Sequence, residues 1–434
     1  MLDFIVFYEH RVRELENAVL LSLYLEKKGY TVEILHVDSW KMLYKRAKVV
    51  IMPYAYSDWD VFTFSFFPFC KINKMVNLQY EQIFTEKDER SDSFYPKDLA
   101  KKCQIISWGS HTSRSLRKRG VSDRDIHEVG QIAMDFNARR FRKAHLSRRQ
   151  IAKEFQIPAN SSWHLFISSF SYSNLHEAQV AALSNLIDDL DELIDLSIVS
   201  QNGVAEWFAL YLKEHPDECV IYRPHPSEVL VDKIKSMEKE YPNFHVISDY
   251  SIRQWICVCD SISTWYSTSI ADIYYAGKDC AILRPVSIPE EMELLMMRGA
   301  SLIQSYSEFC DFMSGKNRTF PVSKGIMHEF FVNDFDGTCG ERLADTCISV
   351  LNDGRCNVDF KGQLRFPLSK KILRFIWLCM MFFGEKINIS GCLPPKYQSQ
   401  AYYVYKESKG MKKEILRYRR RIDRVLSTPA TDKF

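Results

Sequence analysis

Apolar residues follow two alternating rhythms along the chain. Short runs at Phe4 to Tyr8, Thr31 to Val37, Val49 to Met52, Met75 to Leu78, Gln104 to Ser107 and Ile126 to Val129 read as strands. Between them the spacing changes to that of helices. Arg11 to Lys28 carries Leu15, Val19 and Leu23 on one face and stops at Gly29, and the basic stretch Ser110 to Arg119 stops at Gly120. Arg139 to Phe155 predicts a polar, strongly basic helix, and Pro158 to Ser162 a linker. A second series follows. Its strands are His164 to Ser168, Cys219 to Tyr222, Phe244 to Ile247, a short one near Ser261 and Cys280 to Leu283. Its helices are Asn174 to Leu196, Glu206 to His215, Val229 to Tyr241, Ile252 to Val258 and Ser267 to Ala276. Strands alternating with helices predict open α/β sheets. The fold class expected is α/β, with two Rossmann-like domains facing each other across a cleft, residues 1–155 and 160–352. A basic helical tail, 361–434, follows them.

Charge changes the picture of the tail. The chain carries a net +3, yet from Lys361 onward 17 Lys/Arg stand against 5 Asp/Glu, so a basic tail follows an acidic body. Such a tail calls for an anionic partner. The run Phe375 to Phe383 is too short to cross a bilayer, but its Trp, Phe and Met content between lysines suits a helix lying in a membrane interface. Lys412 to Arg424 adds a basic helical patch. The plainer alternative packs the first helix on the protein body and leaves the second as a solvated face. No aromatic-interleaved basic groove points to nucleic acid. The twelve cysteines form no CxxC pair and no secretory leader is evident, which predicts reduced thiols in a cytoplasmic protein, peripheral on the membrane's inner face.

Two segments carry the candidate chemistry. In Arg223-Pro224-His225-Pro226, prolines stiffen a turn after a strand and fix where the imidazole points. His225 and Arg223 there can donate to a phosphate. In the second segment Ser263, Thr264, Ser267, Thr268 and Ser269 precede an apolar helix, whose start can take an anion. Asp272, one turn in, is placed for ribose hydroxyls, and Arg284 is a further cation for the leaving phosphate. Plain helix capping ended by Gly277 explains the second segment without a ligand. At the end of the first strand, Glu9, His10, Arg11 and Glu14 form a polar cluster facing the crevice of an open sheet. Asp58-Trp59-Asp60 has DxD spacing, common by chance, and no metal or other cofactor is required.

The RPHP turn and the Ser/Thr-rich helix ending in Gly277-Lys278 resemble the donor half of GT-B-fold glycosyltransferases. The likeness is greatest to the bacterial surface-polysaccharide group, which includes CDP-glycerol glycerophosphotransferases of teichoic acid synthesis and CMP-sugar-using capsule enzymes. Glu128 to Asp135 resembles that group's GxPxxD segment, with Ala133 near the usual proline. Asp336-Gly337 and Glu341-Arg342 resemble its closing segment, and the N-terminal FYEHRVRELENAVLLSLYLEKKGY resembles surface carbohydrate biosynthesis proteins. The resemblance implies a metal-independent glycosyltransferase that moves a sugar, or a glycerol-phosphate-like unit, from a CMP- or CDP-linked donor to a glycan or lipid-linked acceptor. In the teichoic acid polymerases a histidine after an N-domain strand is the base. Val76 to Gln82 here offers Glu81 in its place, with Glu9 as the alternative. His10, Arg11 and Glu14 then bind acceptor. Two other readings share the fold: a UDP-sugar 2-epimerase-like enzyme, and a non-catalytic, membrane-attached assembly protein.

Overall fold

The computed structural model describes residues 1–184, 189–316 and 318–428. Two parallel sheets of six strands organise it. The first has the order β2-β1-β3-β4-β5-β6, formed by β1 Leu2–Tyr8, β2 Val32–His36, β3 Ala47–Met52, β4 Lys74–Asn77, β5 Gln104–Ser107 and β6 Ile126–Glu128. The second has the order β12-β11-β10-β7-β8-β9. Its strands are β7 Ser162–Ile167, β8 Glu218–Arg223, β9 Phe244–Val246, β10 Ser261–Thr264, β11 Ala281–Leu283 and β12 Leu302–Ile303. β1 and β3 are apolar nearly throughout because a parallel strand covered on both faces has no solvent side.

The two sheets belong to two compact units, one comprising Met1–Gln82, Asp88–Asp135 and the chain from His328 onward, the other Ile83–Lys87 and Phe136–Met327. Residues 136–155 therefore pack with the second sheet and 328–352 with the first, a division unlike the contiguous halves expected. Asp135 gives the physical reason on the first side. Its carboxylate accepts the backbone N–H groups of Cys339 (3.0 Å) and Gly340 (2.7 Å), capping helix α2, Cys339–Asn352. Helix α2 packs on α1, Glu16–Lys27, and a Cβ on Gly340 would stand 2.9 Å from the Tyr24 ring. The GxPxxD-like and closing segments thus meet as a structural clasp.

Local structure departs from the sequence pattern in places. The helix expected from Arg11 opens with a π-helical turn, Arg11–Leu15, before α1. The basic stretch from Arg139 splits into a 3-10 turn, Arg139–Ala144, and a helix, Arg148–Phe155, restarted by a Ser147/Gln150 capping box. The helix expected at Glu206 to His215 is the end of a 25-residue helix, Leu190–Glu214, and the helix Glu177–Leu183 precedes it. Residues 185–188 of the expected helix Asn174 to Leu196 lie outside the described residues.

β10 is no edge element but sits beside β7 at the middle of its sheet. Its serines are buried because His164 of β7 bridges them, Nδ1 to Ser261 Oγ at 2.8 Å and Nε2 to Ser263 Oγ at 2.7 Å. Burial pulls the imidazole down to about 3, so it is neutral and satisfies one hydroxyl as donor and the other as acceptor.

The longer helices of the described tail, α3 Leu368–Gly384, α4 Pro395–Ser408 and α5 Met411–Leu426, belong to the first unit. Arg374 and Trp377 of α3 both donate to Asp38 Oδ1, at 2.5 and 3.0 Å, and Gln400 of α4 donates to Oδ2 at 3.0 Å. Arg11 donates to the Lys409 carbonyl (2.7 Å) and pairs with Glu414.

Candidate functional site

In an open parallel sheet, ligands gather beyond the strand ends where the chain reverses its direction of growth. In the first unit that point lies between β1 and β3, and in the second between β7 and β10.

Beyond β1 stand Glu9 and His10, and beyond β3 stands Tyr54. Burial, then the charge of Asp38, raises the Glu9 carboxyl above the usual range. Tyr54 is stacked on Tyr56 at 5.6 Å. His10 is held from α4: the Tyr403 hydroxyl lies 2.5 Å from its Nδ1 and 3.2 Å from the Glu9 carbonyl oxygen. The ring's other nitrogen, Nε2, lies 3.8 Å from Glu9 Oε2. Burial and the charge of Arg13 lower the His10 pKa, which keeps the ring neutral near pH 7.

Glu14 is buried and accepts the Glu9 backbone N–H at 2.7 Å, so it supports the turn instead of facing an acceptor. Arg11 is turned to α4 and α5. Glu81, about half exposed, pairs with Arg13 at 3.1 Å. Of the two carboxylates considered as base, Glu9 is the more buried, 31% exposed along its side chain against 47% for Glu81. Asp58 and Asp60 answer the DxD question: Asp58 accepts the Leu99 N–H, and Asp60 completes a capping box with Ser57. Among the described residues, no group of three or more His, Cys, Asp or Glu side chains is arranged to hold a metal ion.

In the second unit the RPHP turn is anchored by Glu228, a residue outside the candidates of the sequence analysis. Its carboxylate accepts from Ser168 Oγ (2.6 Å), Tyr222 Oη (2.6 Å), Gln201 Nε2 (3.2 Å) and the His225 backbone N–H (3.1 Å). A carboxylate three residues after the histidine, bonded back to its own turn, was the available signal. His225 Nδ1 accepts from the Ser227 N–H (3.2 Å) and lies 2.9 Å from Ser227 Oγ, which puts the neutral ring's proton on Nε2.

Several residues expected at the phosphate or ribose are engaged inside the unit. Arg223 donates to the carbonyls of Ile247, Asp249 and Tyr250, so it pins the chain after β9, and burial draws its pKa down to about 10. Ser263 faces His164, and Thr264 Oγ1 donates to the Ile167 carbonyl at 3.0 Å. Asp272 is buried and accepts from Arg253 (2.9 Å) and Asn137 (3.0 Å). Arg284 is fully buried, with Nη2 donating to both oxygens of Glu293. The turn Ser267 to Ser269 stays near the surface, Thr268 exposed and both serines half-buried, ahead of a short helix, Ile270–Tyr275. His225 and the turn Ser267 to Ser269 are the donor-side residues at least partly exposed, and they follow the strands flanking β7 on either side.

No protein-family model matches the chain, and no curated protein matches it in sequence. Solved structures match it in fold. UDP-GlcNAc 2-epimerase from Neisseria meningitidis, bound to UDP-GlcNAc, overlays with a TM-score of 0.51 at 10% identity, covering 80% of this chain and 100% of that one. The UDP-GlcNAc 2-epimerase of Methanocaldococcus jannaschii gives 0.51 at 12%, covering 80% and 99%. The wall teichoic acid polymerase TagF gives 0.47 at 12%, covering 84% and 90%, an overlay too loose to bear on function. The chain has the GT-B fold.

Proposed function

We propose that this chain is a glycosyltransferase that moves a sugar, or a glycerol-phosphate-like unit, from a nucleotide-activated donor onto a growing bacterial surface polysaccharide. The observation that carries the reading is the pair of polar sites at the two sheets' reversal points, one built around a carboxylate and one around an oriented imidazole. Glu9 takes the proton of the acceptor hydroxyl. The freed oxygen attacks the donor carbon (or phosphorus, for a phosphoalkyl unit), and the bond to the nucleotide phosphate breaks. His225 Nε2–H and the hydroxyls of Ser267 to Ser269 hold the charge that develops on the departing phosphate. This chemistry asks for no metal. A CMP- or CDP-linked donor is favoured by the resemblance of the RPHP and Ser/Thr-rich segments.

Thermal shift against CMP, CDP, UDP and GDP tests the donor side, since a ligand at about 100 times its Kd stabilises by roughly 2.7 kcal/mol. No shift with any of them would favour the non-catalytic reading. Release of epimerised free sugar without acceptor would favour the 2-epimerase reading. With a turning-over donor, Glu9→Gln should lower kcat by roughly a hundredfold or more and leave nucleotide affinity unchanged. Glu81→Gln should change kcat little. His225→Ala should abolish turnover in a folded protein, and full activity in that variant would remove His225 from the mechanism.

A further inference from the structure

Helix α3 has two apolar faces. Trp377, Leu378 and Met381 are buried against the first unit. On the opposite side Leu368, Ile372, Leu373, Phe375, Ile376 and Phe383 are each 45 to 70% exposed. At 100° per residue the exposed set spans one side of the helix and the buried set the other. The short apolar run therefore does pack on the body, as the plainer alternative held, and still leaves a second stripe uncovered.

The surroundings of the stripe are basic. Lys361, Arg365, Lys370, Lys371 and Lys386 are exposed on or beside the helix, and no acidic residue occurs between Lys361 and Gly384. The next one, Glu385, is turned inward and accepts from Ser39 Oγ (3.0 Å) and Trp40 Nε1 (3.1 Å). The apolar surface continues onto the body through Trp59, 44% exposed, with Lys370 Nζ 5.3 Å from its ring.

We infer that this face docks the protein, in the plane of the bilayer, on a membrane rich in anionic lipid. An apolar stripe takes the acyl boundary while the lysines around it meet headgroup phosphates. The excess of exposed cations on and beside the helix argues for lipid over a second copy of the chain, because a two-fold contact would bring like charges together. Helix α3 is 17 residues long, about 25 Å, and no helix among the described residues is long and apolar enough to cross a membrane. The inference does not rest on the transferase reading. Combined with it, the face lies on the helix whose other side secures Asp38, in the same unit as Glu9, which suits an acceptor carried by lipid.

The test is co-sedimentation of the full chain with vesicles of phosphatidylcholine alone and with roughly one phosphatidylglycerol in three. Binding should appear with the anionic vesicles, weaken in high salt, and fall roughly tenfold or more in I372E/I376E. Both positions are exposed, so circular dichroism and melting should match the parent. No binding to the anionic vesicles, or unaltered binding by I372E/I376E, would overturn the inference. So would a dimer in solution that the double variant converts to monomer, which would give the face to a second copy. The nucleotide thermal shift reports separately on the donor site, so either reading can fail alone.

Discussion

Glu14 shows how a single side chain sets a pH dependence. It is buried one turn beyond Glu9, and burial with the nearby Glu9 charge pushes its carboxyl up to about 8. A carboxyl raised in the folded state holds its proton where the unfolded chain has already lost it. Between the ordinary value of 4.5 and about 8, the folded state binds more protons, so stability falls as pH rises through that window and levels off above it. Glutamine keeps an acceptor for the Glu9 N–H and removes the titration. Glu14→Gln should therefore gain stability over the parent as pH rises from 5 toward 8, with the two converging at low pH. Parallel melting curves across that range would mean that Glu14 titrates normally. The same burial logic distinguishes Glu9 from Glu81. Glu9 is hemmed in by Tyr54, Tyr403 and Asp38's field, whereas Glu81 sits in solvent beside a cation.

At the scale of elements, the tail is fixed by contacts of unequal value. Arg374 and Asp38 are 6% and 8% exposed along their side chains, 2.5 Å apart, and Asp38 also takes hydrogen bonds from Trp377 and Gln400. Burial alone would raise the Asp38 carboxyl. The Arg374 guanidinium, the His36 ring and the hydrogen bonds from Arg374 and Trp377 together more than offset that, and the carboxyl lies below its usual range. Removing one partner of such a pair leaves a charge stranded in the protein, which costs about 3–5 kcal/mol. Arg374→Ala should lose about that much in denaturant unfolding. Arg419 and Glu26 also pair, between α5 and α1, but they are 31% and 30% exposed, so Arg419→Ala should cost no more than about 1 kcal/mol. Equal losses in the two variants would contradict this ranking. Helix α3 is the anchoring element of the tail, and α5 is clipped on by surface charge.

For the whole molecule, the tail is part of the first unit. It covers the exit of β2 through Asp38, holds His10 through Tyr403, and engages Arg11 through Lys409 and Glu414. A chain ending at Asn352 should open the first unit selectively. Limited proteolysis should cut within residues 1–82 while the second unit persists. An unchanged melting profile for the truncated chain would show that the tail is dispensable.

Most strands, the two α/β series and the turn that carries His225 follow from local pattern. Continuous apolar runs have one stable home, a sheet covered on both faces, and a proline-flanked turn is local geometry. Local pattern also marks Glu9 and His10, because the end of a first strand is recognisable from it alone. Which polar groups are tied up inside the units depends on the packing of the whole fold. Ser263, Thr264, Asp272, Arg223 and Arg284 look like ligand-binding residues in one dimension, yet each finds its partner on another strand, helix or loop. A buried polar group must be paired, and the identity of that partner is a long-range fact. The same holds for Tyr403, nearly four hundred residues from the histidine it holds, and for the two faces of α3, whose composition alone could not say which one the protein would cover.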